Sequence, residues 1–226
     1  MCGRFVQSSS ARLLARLLGL DPPAHLAPRY NLAPTETAAV ILWEETGPAF
    51  AHLRWGWPAG GERPRILHQA RAETVARLPA FRQALARRRA LVPADGFYEW
   101  SGRRGRRQPW WIHPPRPGTS LCFAAIWADR PGSGGSFALL TRPAAGPLRR
   151  LHHRMPLILP TSRLNAWINP RSDPQALVDR ICREDPPPLE FYRVSPEVNR
   201  AGPDHPGLTA PIAPHHPSLF DAPPGG

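Results

Sequence analysis

Ser8-Ser9-Ser10 leads into Ala11-Arg12-Leu13-Leu14-Ala15-Arg16-Leu17-Leu18, which stops at Gly19. A cap, an apolar stripe at three- and four-residue spacing and a terminator predict a short amphipathic helix. Short apolar runs bounded by breakers recur at 38–43, 90–93, 110–113, 121–127 and 137–141, and their length and flanks predict strands. Helical patterning returns at about 80–88, 162–168 and 174–182, and a proline-rich crossing occupies 21–28. No internal repeat is present. Many short strands with a few helices predict an α+β fold, a single domain over 1–213 with a mixed, β-rich, barrel-like core and peripheral helices. Residues 214–226 hold several prolines and terminal glycines with too little apolar content to pack, and are expected to form a loose tail.

Composition narrows the setting. Of 226 residues, 42% are hydrophobic, enough for one domain with its own core. The 29 basic residues against 17 acidic ones give a net charge of +12, and the positive side is carried by arginine. A high-GC genome accounts for arginine in place of lysine and for 31 prolines, but not for the excess of positive charge. That excess favours a phosphate-bearing partner, nucleic acid above all. Cys2, Cys122 and Cys182 form no CxxC pair, so neither a disulfide framework nor a zinc ribbon is expected, and no metal or cofactor is called for. The absence of a signal-type apolar segment and of any run of 18 apolar residues argues against secretion and membrane spanning; a cytoplasmic monomer is expected.

Several segments carry more chemistry than packing requires. Cys2 directly follows Met1, and removal of the methionine would place a thiol and an α-amine on one residue. An aldehyde meeting that pair can form an imine with nitrogen and then accept sulfur, closing a thiazolidine; an internal cysteine cannot do this. An ordinary small residue after a start codon is the plainer alternative. Arg29-Tyr30-Asn31-Leu32-Ala33-Pro34-Thr35 reads as an irregular loop. If extended, His68-Gln69-Ala70-Arg71-Ala72-Glu73-Thr74 places Gln69, Arg71 and Glu73 on one face, which a solvated strand edge would also do. In Asp95-Gly96-Phe97-Tyr98-Glu99-Trp100, a carboxyl lodged among aromatics would lose solvation, rise in pKa and serve as acid and base near neutrality; an exposed hairpin glutamate is the alternative. His152-His153-Arg154-Met155-Pro156 sets imidazole and guanidinium at the entrance of the strand-like Leu157-Ile158-Leu159, as a proton shuttle or a surface pair.

These segments, with Met1-Cys2-Gly3-Arg4-Phe5, Gln108-Pro109-Trp110-Trp111-Ile112 and Val194-Ser195-Pro196-Glu197-Val198-Asn199, occur in an order that resembles the SRAP (SOS response-associated peptidase) family from Met1 to about Pro211. The resemblance implies a single SRAP-type domain that acts on abasic sites in single-stranded DNA during the DNA damage response. By motif match, Cys2 is the nucleophile of a covalent thiazolidine cross-link, Glu99 the general acid/base and His152 a second proton-transfer group. Arg4, Arg71 and Arg154 match positions that grip flanking phosphates, and Trp55 borders the cleft. The peptidase of the family name is read as self-removal of Met1, with an accompanying lyase activity left open.

Two departures stand out. Gln69 occupies a position where the family usually has a lesion-orienting asparagine, and Pro58-Ala59-Gly60-Gly61-Glu62 lacks the usual apolar wedge, leaving base stacking to Trp57 or Tyr98. Two other functions compete. An N-terminal-nucleophile amidohydrolase would also begin with Cys-Gly and use its α-amine as base, though no glutamine-binding motif is recognisable. A basic single-strand-binding module would leave Cys2 incidental.

Overall fold

The computed structural model describes residues 3–22, 26–59, 65–103, 106–129 and 134–212; Cys2 and the tail at 214–226 lie outside the described residues. Two sheets dominate. The first contains β1 (Arg4–Gln7), β2 (Arg29–Leu32), β9 (Gly96–Ser101), β10 (Gln108–His113) and β14 (Glu190–Arg193), in the order β14-β10-β9-β1-β2. The second runs β11 (Leu121–Ala128), β8 (Arg89–Ala94), β3 (Thr37–Glu44), β4 (Gly47–Trp55) and β12 (Ser136–Pro143). Because β12 also pairs with β11, this path closes into a ring, with β7 (Gln69–Arg71) and β13 (Arg154–Pro156) added along β12. A short pair, β5 (Trp57–Ala59) and β6 (Arg65–Leu67), stands apart. The expected α+β, β-rich architecture is present as a ring-like sheet beside a second sheet.

Strand alternation divides the interior into three layers. Phe5, Phe97, Trp110 and Ile112 from the first sheet meet Val40, Leu53, Val92, Phe123 and Phe137 from the second in one core. The opposite face of the ring, including Ile41, Leu91, Ala124 and Leu140, packs under four helices, α1 (Ser10–Leu18), α2 (Pro79–Arg87), α3 (Leu164–Ile168) and α4 (Pro174–Arg183). Outside the first sheet, Val6, Tyr98 and Trp111 are covered by Val194, Val198 and Leu208 from the C-terminal segment. β8 is buried at every position, which explains why 90–94 is a continuous apolar run with no alternation, while its first residue, Arg89, donates to the carbonyls of Leu85 and Trp167. Buried Gln7 stitches the sheets together: its amide nitrogen donates to the carbonyls of Ala39 and Pro93, both at 2.9 Å, and its oxygen accepts from the Ala39 amide.

Three expectations are corrected. Residues 29–32 form β2 and not an irregular loop, because their backbone pairs with β1. The strand after the histidines is Arg154–Pro156, paired with β12, whereas 157–159 form an isolated bridge at Ile158 and backbone hydrogen bonds to Leu140, Ala124 and Cys122 without making a strand. The serines do not cap α1 themselves: the Asp95 carboxylate accepts from the amides of Ser8 at 2.6 Å and Ser9 at 3.2 Å, supplying the negative charge a helix start favours. Asp95 is thereby tied to the hairpin corner, where a Cβ on Gly96 would fall 2.4 Å from the Ile112 carbonyl oxygen. Asp95 and Gly96 are thus architecture at the start of the strand that carries Glu99.

Candidate active site

Alternation along β9 sends Phe97 and Glu99 toward the inter-sheet core and Tyr98 and Trp100 toward the outer layer. The aromatics that flank Glu99 in sequence therefore point away from it, and its aromatic neighbour is Trp110, paired with it across β10. Glu99 is 3% exposed. Burial pushes its carboxyl from 4.5 up to about 7, against the opposing pull of a backbone hydrogen bond at Trp100 and the charge of Arg107. On the other side, β1 runs antiparallel to β9 with Arg4 opposite Tyr98 and Phe5 opposite Phe97, so the next step in register sets Gly3 opposite Glu99.

His152 reaches the same carboxyl from the turn before β13, with Nδ1 4.0 Å from Glu99 Oε1. The Arg154 amide donates to His152 Nδ1 at 2.9 Å, while the Arg154 carbonyl lies 3.2 Å from the same nitrogen. Only one of these can operate at a time. The shorter amide contact, with burial pulling the imidazole below its ordinary 6.5, favours a neutral ring carrying its proton on Nε2. A carboxylic acid tuned to neutrality thus stands beside a neutral imidazole, a pair able to donate and accept protons in the same pH range.

The second part of the site follows β7, parallel to β12, with Leu139 opposite Gln69 and Thr141 opposite Arg71. Ala70 turns into the core. Gln69 and Arg71, with Ile66, Leu67, His68 and Thr141, line a cleft of about 200 Å³. Arg71 is exposed and makes no ion pair among the described residues, so its guanidinium is available to an anion. Glu73 lies past the strand, where both its oxygens accept from Arg154. Partial burial pushes the Glu73 carboxyl up, but the hydrogen bond and charge of Arg154 outweigh it and hold the group below its ordinary value. Arg154 joins the two parts, since its amide orients His152 and its side chain holds Glu73.

Several expected site residues have partners within the fold. Arg154 is 8% exposed and its Nη2 also donates to the Thr141 carbonyl at 2.6 Å and hydroxyl at 3.0 Å, so it clamps Glu73 to Thr141 inside the fold. Arg4 Nη1 donates to Asn31 Oδ1 at 2.6 Å and to the carbonyls of Val198 and Arg200, while the Asn31 amide holds Arg200 and Pro203; this cluster pins the C-terminal segment. Trp55 is 1% exposed inside the core, its Nε1 donating to the His68 carbonyl, so it presents no face to a ligand. Trp57 and Tyr98 are buried too, which removes both as stacking surfaces; the 60–62 part of the adjoining segment lies outside the described residues. Ile66, 46% exposed on the cleft rim, is the apolar surface available there, and nothing in its sequence context singles it out. Arg107, whose charge acts on both Glu99 and His152, was likewise missed. Among the described residues no group of three or more His, Cys, Asp or Glu is placed to hold a metal ion, and no helix is long and apolar enough to cross a membrane.

Fold and site together define a protein with a buried acid–base pair beside a cleft that offers a guanidinium to an anionic ligand. Residues 1–201 match the family described as SOS response associated peptidase (SRAP), and the chain belongs to that family. It is 30% identical over 215 residues to abasic site processing protein YobE of Bacillus subtilis, covering 88% of this chain and 96% of that protein. To abasic site processing protein YedK of Escherichia coli it is 30% identical over 178 residues, covering 74% and 79%. The solved structure of a phage-related protein from Bordetella bronchiseptica superposes with a TM-score of 0.71 at 30% identity, covering 85% of this chain and 94% of that one.

Proposed function

We propose that this chain processes abasic sites, and that it does so by capturing the ring-opened aldehyde in single-stranded DNA as a thiazolidine on Cys2 after loss of Met1. The family membership and the names of its relatives support the general activity. The observation that carries the finer reading is Glu99: a carboxyl tuned to about 7, 4.0 Å from His152 and one register step beyond the Arg4–Tyr98 pair, on the strand neighbouring the start of the chain.

The chemistry then runs in balanced steps. The Cys2 amine adds to the aldehyde carbon to give a carbinolamine. Glu99, about half protonated near neutrality, gives a proton to the departing hydroxyl, water leaves, and the Glu99 carboxylate takes the proton back from nitrogen as the imine forms. The Cys2 sulfur adds to the imine carbon and nitrogen takes up the proton that sulfur gives, through His152 or Glu99. The reverse path uses the same groups. Arg71 holds a neighbouring phosphate, a contact that positions the strand without reading its sequence, and Gln69 orients the lesion from the cleft.

The decisive experiment treats a single-stranded oligonucleotide carrying one abasic site with purified protein and denatures it before electrophoresis. Wild type gives a covalent band, its intact mass lacks one methionine, and Cys2→Ala gives no stable adduct. A protein retaining Met1 that cross-links as well as the processed form would overturn the thiazolidine. A covalent band of wild-type strength from Cys2→Ala would remove Cys2 altogether.

A further inference from the structure

The turn between β9 and β10 concentrates charge: Ser101-Gly102-Arg103-Arg104-Gly105-Arg106-Arg107-Gln108 holds four arginines. Arg103, Arg106 and Arg107 are exposed, and among the described residues none of the three makes an ion pair. This sets them apart from Arg29, Arg88, Arg154 and Arg163, each facing a carboxylate, and from Arg89 and Arg142, whose guanidiniums donate to backbone carbonyls. Like charges on so short a turn repel one another, yet the turn is fastened at both ends. Gly102 takes φ 91°, and the Arg106 amide donates to the Arg103 carbonyl at 3.0 Å.

The fastener outside the hairpin is Asn199. Its Oδ1 accepts from Trp100 Nε1 at 2.5 Å, and its Nδ2 donates to the Arg107 carbonyl at 3.3 Å. Beside it, Gln108 Nε2 donates to the Val194 carbonyl at 2.9 Å. The C-terminal Val194 to Asn199 segment thus braces the strand end that carries Glu99 and the base of the arginine turn together. The charge of Arg107 acts on both Glu99 and His152, so this turn stands within electrostatic reach of the acid–base pair.

We infer that the β9–β10 turn is a second phosphate-gripping limb, in which Arg103, Arg106 and Arg107 bind the phosphodiester backbone of single-stranded DNA, and that Asn199 is a positioning residue holding Arg107 beside Glu99 and His152. The limb takes its ligand from the abasic-site reading, but it is measured on a strand without a lesion. Arg71 and the turn then bracket the acid–base pair from two elements, β7 and the β9–β10 hairpin.

The test is a salt titration of binding to an undamaged single-stranded oligonucleotide by fluorescence anisotropy. Each phosphate neutralised on a single strand contributes roughly 0.7 to the slope of log K against log salt, so the triple variant Arg103→Ala/Arg106→Ala/Arg107→Ala loses about 2 units of slope. The control removes the same charge from helices under the other face of the ring, Arg12→Ala/Arg16→Ala/Arg82→Ala, and keeps the slope within about 0.5. Equal slopes in the two triple variants overturn the limb. For positioning, the pH profile of adduct formation is compared in Asn199→Ala and Arg107→Ala; both shift the Glu99-dependent limb to higher pH, and Arg107→Lys restores it. An unshifted profile in Asn199→Ala overturns its positioning role. Failure of wild type to form any adduct would instead strike the abasic-site reading, leaving the salt slopes to judge the limb alone.

Discussion

Glu99 and Glu73 stand on the two sides of one site and are treated in opposite ways. Glu99 is enclosed at the edge of the inter-sheet core, and burial keeps it a weak acid that titrates near 7. Glu73 remains 40% exposed by side chain, takes the buried Arg154 guanidinium across both oxygens and stays ionised. Surroundings alone set two carboxylates of one protein to titrate in opposite directions, suiting one to proton transfer and the other to a scaffold. Both belong to short segments rich in chemistry, so the difference comes from where the fold sets them: Glu99 on the inward face of β9, Glu73 in the turn beyond β7.

Removing the proton carrier has the largest expected effect. Glu99→Gln keeps shape and hydrogen-bonding capacity but cannot titrate, so adduct formation and reversal slow together by about 10² to 10⁴-fold while affinity for an undamaged strand stays the same. Time courses of formation, and of chase with excess competing abasic strand, across about two pH units on either side of neutrality, measure both directions. Wild-type rates at every pH would take Glu99 out of the mechanism and reduce the contrast with Glu73 to a difference in burial.

The scaffold side predicts an asymmetry in stability. Arg154 has 9% of its side chain exposed and Glu73 has 40%, so deleting the carboxylate strands a buried cation, while deleting the cation leaves a carboxylate that water can reach. Glu73→Ala is therefore expected to cost about 2 kcal/mol, tempered by the Thr141 oxygens that Arg154 keeps, and Arg154→Met, which preserves apolar bulk, no more than about 1 kcal/mol. Urea unfolding of both variants checks the order. Arg154→Met costing more than Glu73→Ala would show that guanidinium packing, not charge pairing, holds this corner.

The same contrast marks what the chain discloses before folding. The strands at 90–93 and 121–127 and the helix at 174–182 were legible because burial on both faces, or on one stripe, writes itself into local composition. β1, β2 and β14 escaped because their pairing partners are distant and their side chains are mixed, and β4, which pairs with adjacent β3, because its side chains are mixed. Glu99 and His152 were legible as chemistry and do come together, but the cause assigned to Glu99 was displaced: Tyr98 and Trp100 are neighbours in sequence and stand on the opposite face, and burial by the core takes their place. The arginines mislead most. Net charge counts Arg154 and Arg107 alike, whereas one is enclosed against Glu73 and Thr141 and the other is exposed on the β9–β10 turn, its charge acting on Glu99 and His152. No local pattern separates them, since the difference lies in partners dozens of residues away.

The smallest effect is also the sharpest on sign. Glu73 has a depressed folded-state pKa, so its pair with Arg154 contributes stability above the unfolded value of about 4.5, lost as pH falls through the folded value. Glu99 has a raised one, so its burial is without penalty below 4.5, and stability falls as pH rises from there to about 7, where the folded protein must give up the proton. Glu73→Gln is expected to lose about 1 kcal/mol at pH 7 and to converge on wild type at acid pH, once the wild-type carboxylate is itself protonated. Glu99→Gln should do the opposite, matching wild type at acid pH and gaining on it up to pH 7. Urea midpoints for the three proteins at several pH values between 3 and 8 trace both curves. If the two variants diverge from wild type in the same direction with pH, the two carboxylates are not oppositely tuned, and the division between proton carrier and scaffold fails.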